Sequence, residues 1–222
     1  MLITIQDEQV EIFIKGTYQK RDKNAVAIVG SRNMSERGKK LAEKFSSTLA
    51  QKNITIVSGL AHGVDTIAHE AALAAKGRTI AVLAHGLDII YPKENTDLAS
   101  KIIKNGCLIS KFPEGTSPKP QNFLARNQLV AGLSKAVLVV EGAERSGSLS
   151  TANHAANLGI EVFAIPGSPA TDFLIENGAS VANSPEDILD YLNSSTFPVR
   201  SYTKEEIDKF VKLDKNETKK SM

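Results

Sequence analysis

The stretch Ala25-Val26-Ala27-Ile28-Val29-Gly30-Ser31-Arg32 decides the fold of this chain. Its first five residues are apolar without interruption, which is typical of a strand buried on both faces of a parallel sheet. Gly30 ends that run, and residues 35–52 then place apolar side chains such as Leu41 and Phe45 at helical intervals. A buried strand, a glycine turn and an amphipathic helix form the first half of a βαβ unit.

The same alternation continues to about residue 193. We predict an edge strand at 11–14 and further strands at 25–29, 54–57, 79–83, 107–110, 137–140 and 161–165. We predict helices at 35–52, 63–75, 95–104, 122–133, 148–158, 169–177 and 185–192. Strands alternating with helices at this spacing predict an α/β fold with a doubly wound, mostly parallel sheet and helices on both faces.

The chain divides into three parts by composition. Residues 1–24 form an N-terminal extension with the edge strand, residues 25–193 the core, and residues 194–222 a charged tail. Within the tail, 203–213 fits one amphipathic helix with Ile207 and Phe210 on its apolar face. A solvated tail fits the same composition equally well.

Composition excludes several classes of protein. The 222 residues carry a net charge of +2, so any surface for nucleic acid must be a local basic patch. The single cysteine, Cys107, excludes an internal disulfide and is expected to be a small buried hydrophobe. The four histidines lack metal-ligand spacing, and no cofactor motif is present. No apolar run approaches the roughly 18 residues of a membrane span, so we expect a cytoplasmic protein without a targeting signal.

Three glycine-rich turns follow predicted core strands. N–H groups at a helix start, next to a glycine that allows close approach, can bind phosphate. The candidate phosphate-binding residues are Gly30, Ser31 and Arg32 in the first turn, Ser58, Gly59, His62 and Gly63 in the second, and Arg145, Ser146, Gly147 and Ser148 in the third. The alternative for the first turn is an ordinary βα turn with a solvated arginine, and for His62 in the second turn an exposed loop histidine. For the third turn the alternative is a capped helix start.

The segment 112–127 is rich in proline and combines charge with an aromatic ring. Lys119, Arg126 and Phe123 lie within eight residues, followed by Asn127. Single-stranded nucleic acid needs such a set, because cations bind phosphates and a flat ring stacks on a base. The alternative places Phe123 in the core and Lys119 in solvent.

The ordered motifs resemble the DNA-processing protein A family (DprA, also called Smf) over roughly residues 11–190. The matching residues are Val26 to Arg32, Val57 to Asp65, Gly86-Leu87-Asp88, Tyr91-Pro92, Asn95, Pro113, Gly115-Thr116, Phe123, Arg126-Asn127, Ala131 to Ser134, Ser146-Gly147-Ser148 and Pro166-Gly167-Ser168. The resemblance implies a Rossmann-like core and no enzymatic activity. It also implies a homodimer that binds and protects single-stranded DNA and helps to load a RecA-type recombinase, typically in natural transformation.

The resemblance assigns roles to particular residues. Arg32 matches an arginine that contacts phosphate, Phe123 an aromatic of the DNA pocket, and Lys119 a usual basic position. Lys111 stands where the family commonly has an acidic residue. We expect neither the sterile-alpha-motif-like domain nor the winged-helix domain that flank the core in the family.

Two other functions fit parts of the sequence. A Rossmann-like sensor of small nucleotides, or a nucleotide-cleaving enzyme, would use the same glycine turns. The cleaving enzymes carry a catalytic glutamate at a helix start, and the corresponding stretch here, 145–153, has none. A partner-binding module would instead use an exposed face of the core or the 203–213 segment.

Overall fold

The computed structural model describes residues 2–5 and 8–194. An eight-stranded sheet forms the centre of the molecule, with strand order β10-β9-β8-β4-β5-β6-β7-β3. Its strands are β3 (Phe13–Gly16), β4 (Ala25–Val29), β5 (Thr55–Ser58), β6 (Thr79–Leu83), β7 (Cys107–Ser110), β8 (Ala136–Val139), β9 (Glu161–Ala164) and β10 (Ser180–Val181). Neighbouring strands are parallel except β3, which pairs antiparallel with β7 at one edge. The predicted doubly wound sheet is therefore confirmed.

Helices cover both faces of this sheet. They are α1 (Glu36–Gln51), α2 (Val64–Ala74), α3 (Thr96–Asn105), α4 (Pro120–Gly132), α5 (Gly147–Asn157), α6 (Pro169–Glu176) and α7 (Pro185–Asn193), with 3-10 turns at Lys20–Lys23 and Lys93–Asn95. Along β4, Ala27 packs in the layer of α4 to α6, whereas Ile28 packs in the layer of α1, α2 and α7. This two-sided burial explains why β4 is apolar at every position.

The chain reverses its direction across the sheet at β4. From β4 it moves through β5 and β6 to β7, and α4 then carries it back to β8 on the other side of β4. The loops after β4 and β8 therefore leave in opposite directions and open a crevice at the carboxyl ends of these strands. Ligands of doubly wound sheets bind at such a switch point.

The helices begin and end within two residues of their predicted bounds, and the larger differences from the prediction concern short strands. The hairpin β1 (Leu2–Ile5) and β2 (Glu8–Glu11) was not predicted, nor was the two-residue β10. The edge strand begins at Phe13 rather than at residue 11. The segment 203–213 and the rest of the tail after residue 194 lie outside the described residues. Within the described part of the chain, no helix combines the length and apolar character needed to cross a bilayer.

A buried ion pair fixes the amino-terminal edge of the sheet. The Asp22 carboxylate accepts hydrogen bonds from the Arg78 Nε and Nη2 atoms at 2.7 Å each and from the Thr55 hydroxyl at 2.9 Å. Arg78 also donates to the Thr17 carbonyl at 2.6 Å. These bonds tie the turn before β4 to the start of β6, at the end of the sheet opposite the crevice.

Candidate nucleic-acid interface

All three glycine turns lie at the carboxyl edge of the sheet. The first follows β4, the second follows β5 and the third follows β8. Gly30 is in close contact with the second turn, since a Cβ at this position would lie 2.8 Å from the Val64 Cγ2 atom. The Ser31 N–H donates to the Glu141 carbonyl at 2.9 Å, and the Ser31 carbonyl accepts from the Val64 N–H at 3.1 Å.

Gly63 is required for this contact between the first two turns. It has a φ of 76°, and a Cβ there would overlap the Ser31 carbonyl oxygen. A residue other than glycine would therefore need both a left-handed backbone and space that the Ser31 backbone already fills.

A carboxylate of the protein already occupies the helix start that follows the first turn. Glu141, which comes directly after β8, is 8% exposed, and its two oxygens accept from the Ser35 N–H and the Ser35 hydroxyl at 2.6 Å each. Ser35 is the N-cap of α1, and its hydroxyl oxygen accepts from the Gly38 N–H at 2.9 Å. The anion position at the start of α1 is thus filled by Glu141.

The second turn is filled in the same manner. The Asp65 carboxylate accepts from the Gly59 N–H at 3.1 Å and from the Ala61 N–H at 3.3 Å. Burial raises the pKa of Asp65, and the nearby Arg126 guanidinium and these N–H groups oppose that shift.

The two other predicted residues of the second turn differ in exposure. Ser58 is buried, and its hydroxyl donates to the Ile28 carbonyl at 2.7 Å. His62 is exposed, and its Nε2 atom lies 3.9 Å from the Glu94 carboxylate.

The third turn differs from the other two. Within the described residues, no carboxylate is hydrogen-bonded to the N–H groups at the start of α5. The Ser146 and Ser148 hydroxyls contact each other, and a Cβ at Gly147 would meet no atom within 4 Å. Arg145 is exposed directly before this helix start. The third turn is therefore the one that remains open to an external anion.

An aromatic and cationic cluster lies beside these turns. The Arg32 Cζ atom is 5.3 Å from the centroid of the Phe123 ring, and the Arg126 Cζ atom is 5.7 Å from it. The Tyr91 ring meets Phe123 edge to face, with 6.1 Å between centroids. We call these four residues the Phe123 cluster. Arg32 is exposed, Phe123 is half-buried and Tyr91 is 48% exposed, so the cluster faces solvent.

Arg126 is the buried member of this cluster. It is 5% exposed, and its Nη1 atom donates to the Gly59 carbonyl at 2.6 Å and to the Val82 carbonyl at 2.7 Å. Its Nε atom donates to the Asn127 side-chain oxygen at 3.1 Å, and Asn127 in turn donates to the Gly147 carbonyl at 3.2 Å. Burial lowers the pKa of Arg126 to about 10, with the Asp65 carboxylate opposing this shift. Arg126 therefore links the second turn, α4 and the third turn.

The structure thus separates the predicted residues into two groups. Arg32 and Phe123 are in direct contact, and Lys119, which immediately precedes α4, is exposed four residues before Phe123. The buried residues Ser58, Gly59, Arg126 and Asn127 form internal bonds, and direct contact of these side chains with DNA stays a prediction. Sequence reasoning did not include Tyr91 among the site residues. The available signal was an aromatic beside a proline, outside any apolar pattern.

Comparison with known proteins covers most of the chain. The model of the family described as DNA recombination-mediator protein A matches residues 1–193. Protein Smf of Escherichia coli (strain K12) is 42% identical over 198 residues, which cover 86% of this chain and 53% of Smf. This chain therefore spans about half the length of that relative.

Two solved structures share the fold at substantial identity. DNA processing protein A from Streptococcus pneumoniae has a TM-score of 0.76 and 42% identity, covering 81% of this chain and 65% of that one. DNA processing protein A from Helicobacter pylori has a TM-score of 0.75 and 32% identity, covering 82% of this chain and 86% of that one. These matches confirm the resemblance carried by residues 26–32 and 57–65. The chain belongs to the DNA recombination-mediator protein A family.

Proposed function

We propose that this protein binds single-stranded DNA across the Phe123 cluster and the start of α5. The observation that carries the proposal is the contact of an exposed guanidinium, Arg32, with the half-buried ring of Phe123. Within the described residues, Arg32 has no carboxylate partner. The cation is therefore available to a phosphate, and the neighbouring aromatic rings are available to bases.

The remaining contacts of the strand would come from exposed cations around the cluster. Lys119 precedes α4, and Arg145 precedes the open start of α5. The α5 N–H groups and the hydroxyls of Ser146 and Ser148 would bind a neighbouring phosphate. The relative from Helicobacter pylori supports this reading, because its structure is described as showing a single-stranded DNA binding mode.

The filled turns argue against a small nucleotide at the switch point. A dinucleotide or nucleoside phosphate in a doubly wound fold places its phosphates on a helix start next to the central strand. Here the Glu141 carboxylate lies at the start of α1, and the Asp65 carboxylate lies in the turn before α2. A phosphate would have to displace a buried carboxylate from either place, so we favour DNA bound outside the crevice.

Family membership supports a role of this binding in DNA recombination. We propose that the protein acts in the cytoplasm as a homodimer, protects single strands and helps to load a RecA-type recombinase. Because the chain spans about half of Escherichia coli Smf, these activities of the longer relatives are proposed for it and not transferred. The core we assign to DNA binding is 25–193, with 1–24 and 194–222 as flanking segments.

Fluorescence anisotropy with a labelled oligothymidine of about 16 nucleotides tests the binding. We expect single strands to bind more tightly than a duplex of equal length, with affinity falling steeply as salt increases. Arg32→Ala should weaken binding on the order of tenfold at low salt and lower the salt slope by about one. Absence of single-strand affinity at low salt would refute the proposal.

Arg21→Ala is the matched control for this experiment. Arg21 lies in the 3-10 turn before β4, at the opposite end of the sheet, and it is exposed like Arg32. The substitution removes the same charge and should leave the affinity almost unchanged. An equal loss in both variants would show that net charge, and not the Phe123 cluster, determines binding.

A further inference from the structure

A second pair of a cation and an aromatic ring lies at the same edge of the sheet. Lys111 and Phe112 directly follow β7, and the Lys111 Nζ atom is 5.8 Å from the centroid of the Phe112 ring. Both side chains are half-buried. Phe13, which pairs with Ser110 in the register of β3 and β7, is 38% exposed next to them. The pair therefore continues the chemistry of the Phe123 cluster toward the antiparallel edge.

Internal hydrogen bonds hold this pair in a defined place. The buried Ser110 hydroxyl donates to the His85 carbonyl at 2.6 Å, and its oxygen accepts from the Phe112 N–H at 3.0 Å. Farther along, the Gly115 N–H donates to the Asp88 carboxylate at 3.0 Å, and the Thr116 carbonyl accepts from the Gly86 N–H at 3.0 Å. The loop between Phe112 and α4 is thus attached to the turn after β6 at its start and at its middle.

The charge of Lys111 is not neutralised within the described part of the chain. No carboxylate lies within ion-pair distance of its ammonium there. Burial lowers the pKa of Lys111, because part of the hydration of its ammonium is lost. An external phosphate would restore a partner to this cation.

We infer that Lys111 and Phe112 form a second nucleotide subsite for the strand that the Phe123 cluster binds. This inference rests on the proposed function and extends it to a further length of the same ligand. Strand β7 is the third strand from β4 in the sheet, which places its end about 14 Å from the end of β4. A single strand would cross that distance with a few nucleotides, with Lys111 on a phosphate and Phe112 against a base.

Phe112→Trp tests the subsite directly, because the chain contains no other tryptophan. We expect oligothymidine to quench and shift the tryptophan emission, and an abasic strand of equal length and charge to produce no such change. If the labelled strand binds by anisotropy while the emission stays constant, the subsite is refuted and the proposed function stands. If no strand binds to the unmodified protein at all, the proposed function fails as well.

Lys111→Ala provides a second, independent measurement. Binding of a strand of about 16 nucleotides should weaken on the order of five- to tenfold at low salt. Binding of a dinucleotide, which is too short to reach Lys111 from the Phe123 cluster, should not change. Lys44→Ala, an exposed position on α1, removes the same charge and should have no effect at either length. An effect of Lys111→Ala that is independent of strand length, or equal to that of Lys44→Ala, would overturn the inference.

Discussion

The Arg126 Nη1 atom donates to the Gly59 carbonyl at 2.6 Å, and the same guanidinium occupies the place where a Cβ on residue 59 would lie. The second glycine turn is therefore shaped around Arg126 and not around an external anion. Because Arg126 also lies 5.7 Å from the Phe123 centroid, the position of this half-buried ring depends on a buried hydrogen bond. This relationship connects the stability of the core to the geometry of the candidate site.

Gly59→Ala should destabilise the protein and weaken DNA binding together. The added methyl group would displace the Arg126 guanidinium and leave the Gly59 and Val82 carbonyls without their donor. Loss of such buried hydrogen bonds costs about 1–3 kcal/mol, which urea unfolding monitored by circular dichroism would measure. Gly147→Ala is the control, because open space surrounds that position, and it should change the free energy of unfolding by less than about 1 kcal/mol. An equal decrease in the free energy of unfolding in the two variants would contradict this account.

Phe123→Leu should reduce affinity for single strands with little change in stability. Leucine keeps an apolar side chain beside Tyr91 but removes the ring face on which a base stacks. Base stacking on an aromatic side chain contributes about 1–3 kcal/mol, which corresponds to a loss of roughly five- to 150-fold in the dissociation constant. Phe173→Leu, a half-buried position on α6, is the matched control for anisotropy titrations. Unchanged affinity in Phe123→Leu would exclude stacking at this ring.

The sequence carries strong local signals for the central strands. Strands β4, β6 and β7 have the predicted bounds, because each is a mostly apolar run that begins directly after a polar residue or a glycine. The hairpin of β1 and β2 carries too few residues for its alternation to stand out. Strand β10 has two residues and exists through its pairing with β9, a contact that local sequence does not encode. The order of the strands likewise depends on packing between distant segments.

Only those members of the candidate site that are accessible to solvent were predictable from the sequence. Arg32 and Phe123 were identified from charge and aromaticity near the glycine turns, and they are in contact. The burial of Arg126 was not predictable, because arginine is seldom fully buried and its two carbonyl partners belong to distant segments, Gly59 after β5 and Val82 within β6. The role of Glu141 was also inaccessible, since its partner Ser35 lies 106 residues earlier in the chain.

Acid should remove the contribution of Asp22 to stability. Burial alone would raise its pKa, but the hydrogen bonds from Arg78, Gln19 and Thr55 outweigh this and hold the pKa below its ordinary value. The unfolded state therefore binds more protons below about pH 4, and the free energy of unfolding decreases as the pH falls through the folded pKa. Asp22→Asn should cost about 3 kcal/mol at pH 7 by leaving Arg78 unpaired. Urea titrations should show this difference shrinking toward pH 3, and a difference independent of pH would contradict the assignment.

Cys107 should react with thiol reagents only after unfolding. Its side chain is fully buried, and burial raises the pKa of its thiol to about 12, so the reactive thiolate is scarce at pH 8. Mass spectrometry after incubation with iodoacetamide should show an unmodified native protein and one adduct in guanidinium chloride. Since this is the single cysteine of the chain, rapid modification of the native protein would show that β7 opens to solvent.

The carboxylates of Glu141 and Asp65 mean that the protein carries its own substitute ligands in the crevice where this fold ordinarily holds a cofactor. In the proposed binding mode, recognition passes from backbone amides, which fix one phosphate in one geometry, to long side chains such as Arg32 on the rim. Long, flexible side chains can keep their contact with the phosphates when a nucleic-acid strand shifts by one nucleotide. On the proposed function, a fold that elsewhere holds one small molecule in its crevice would here hold any stretch of a nucleic-acid strand on the rim, independent of base sequence.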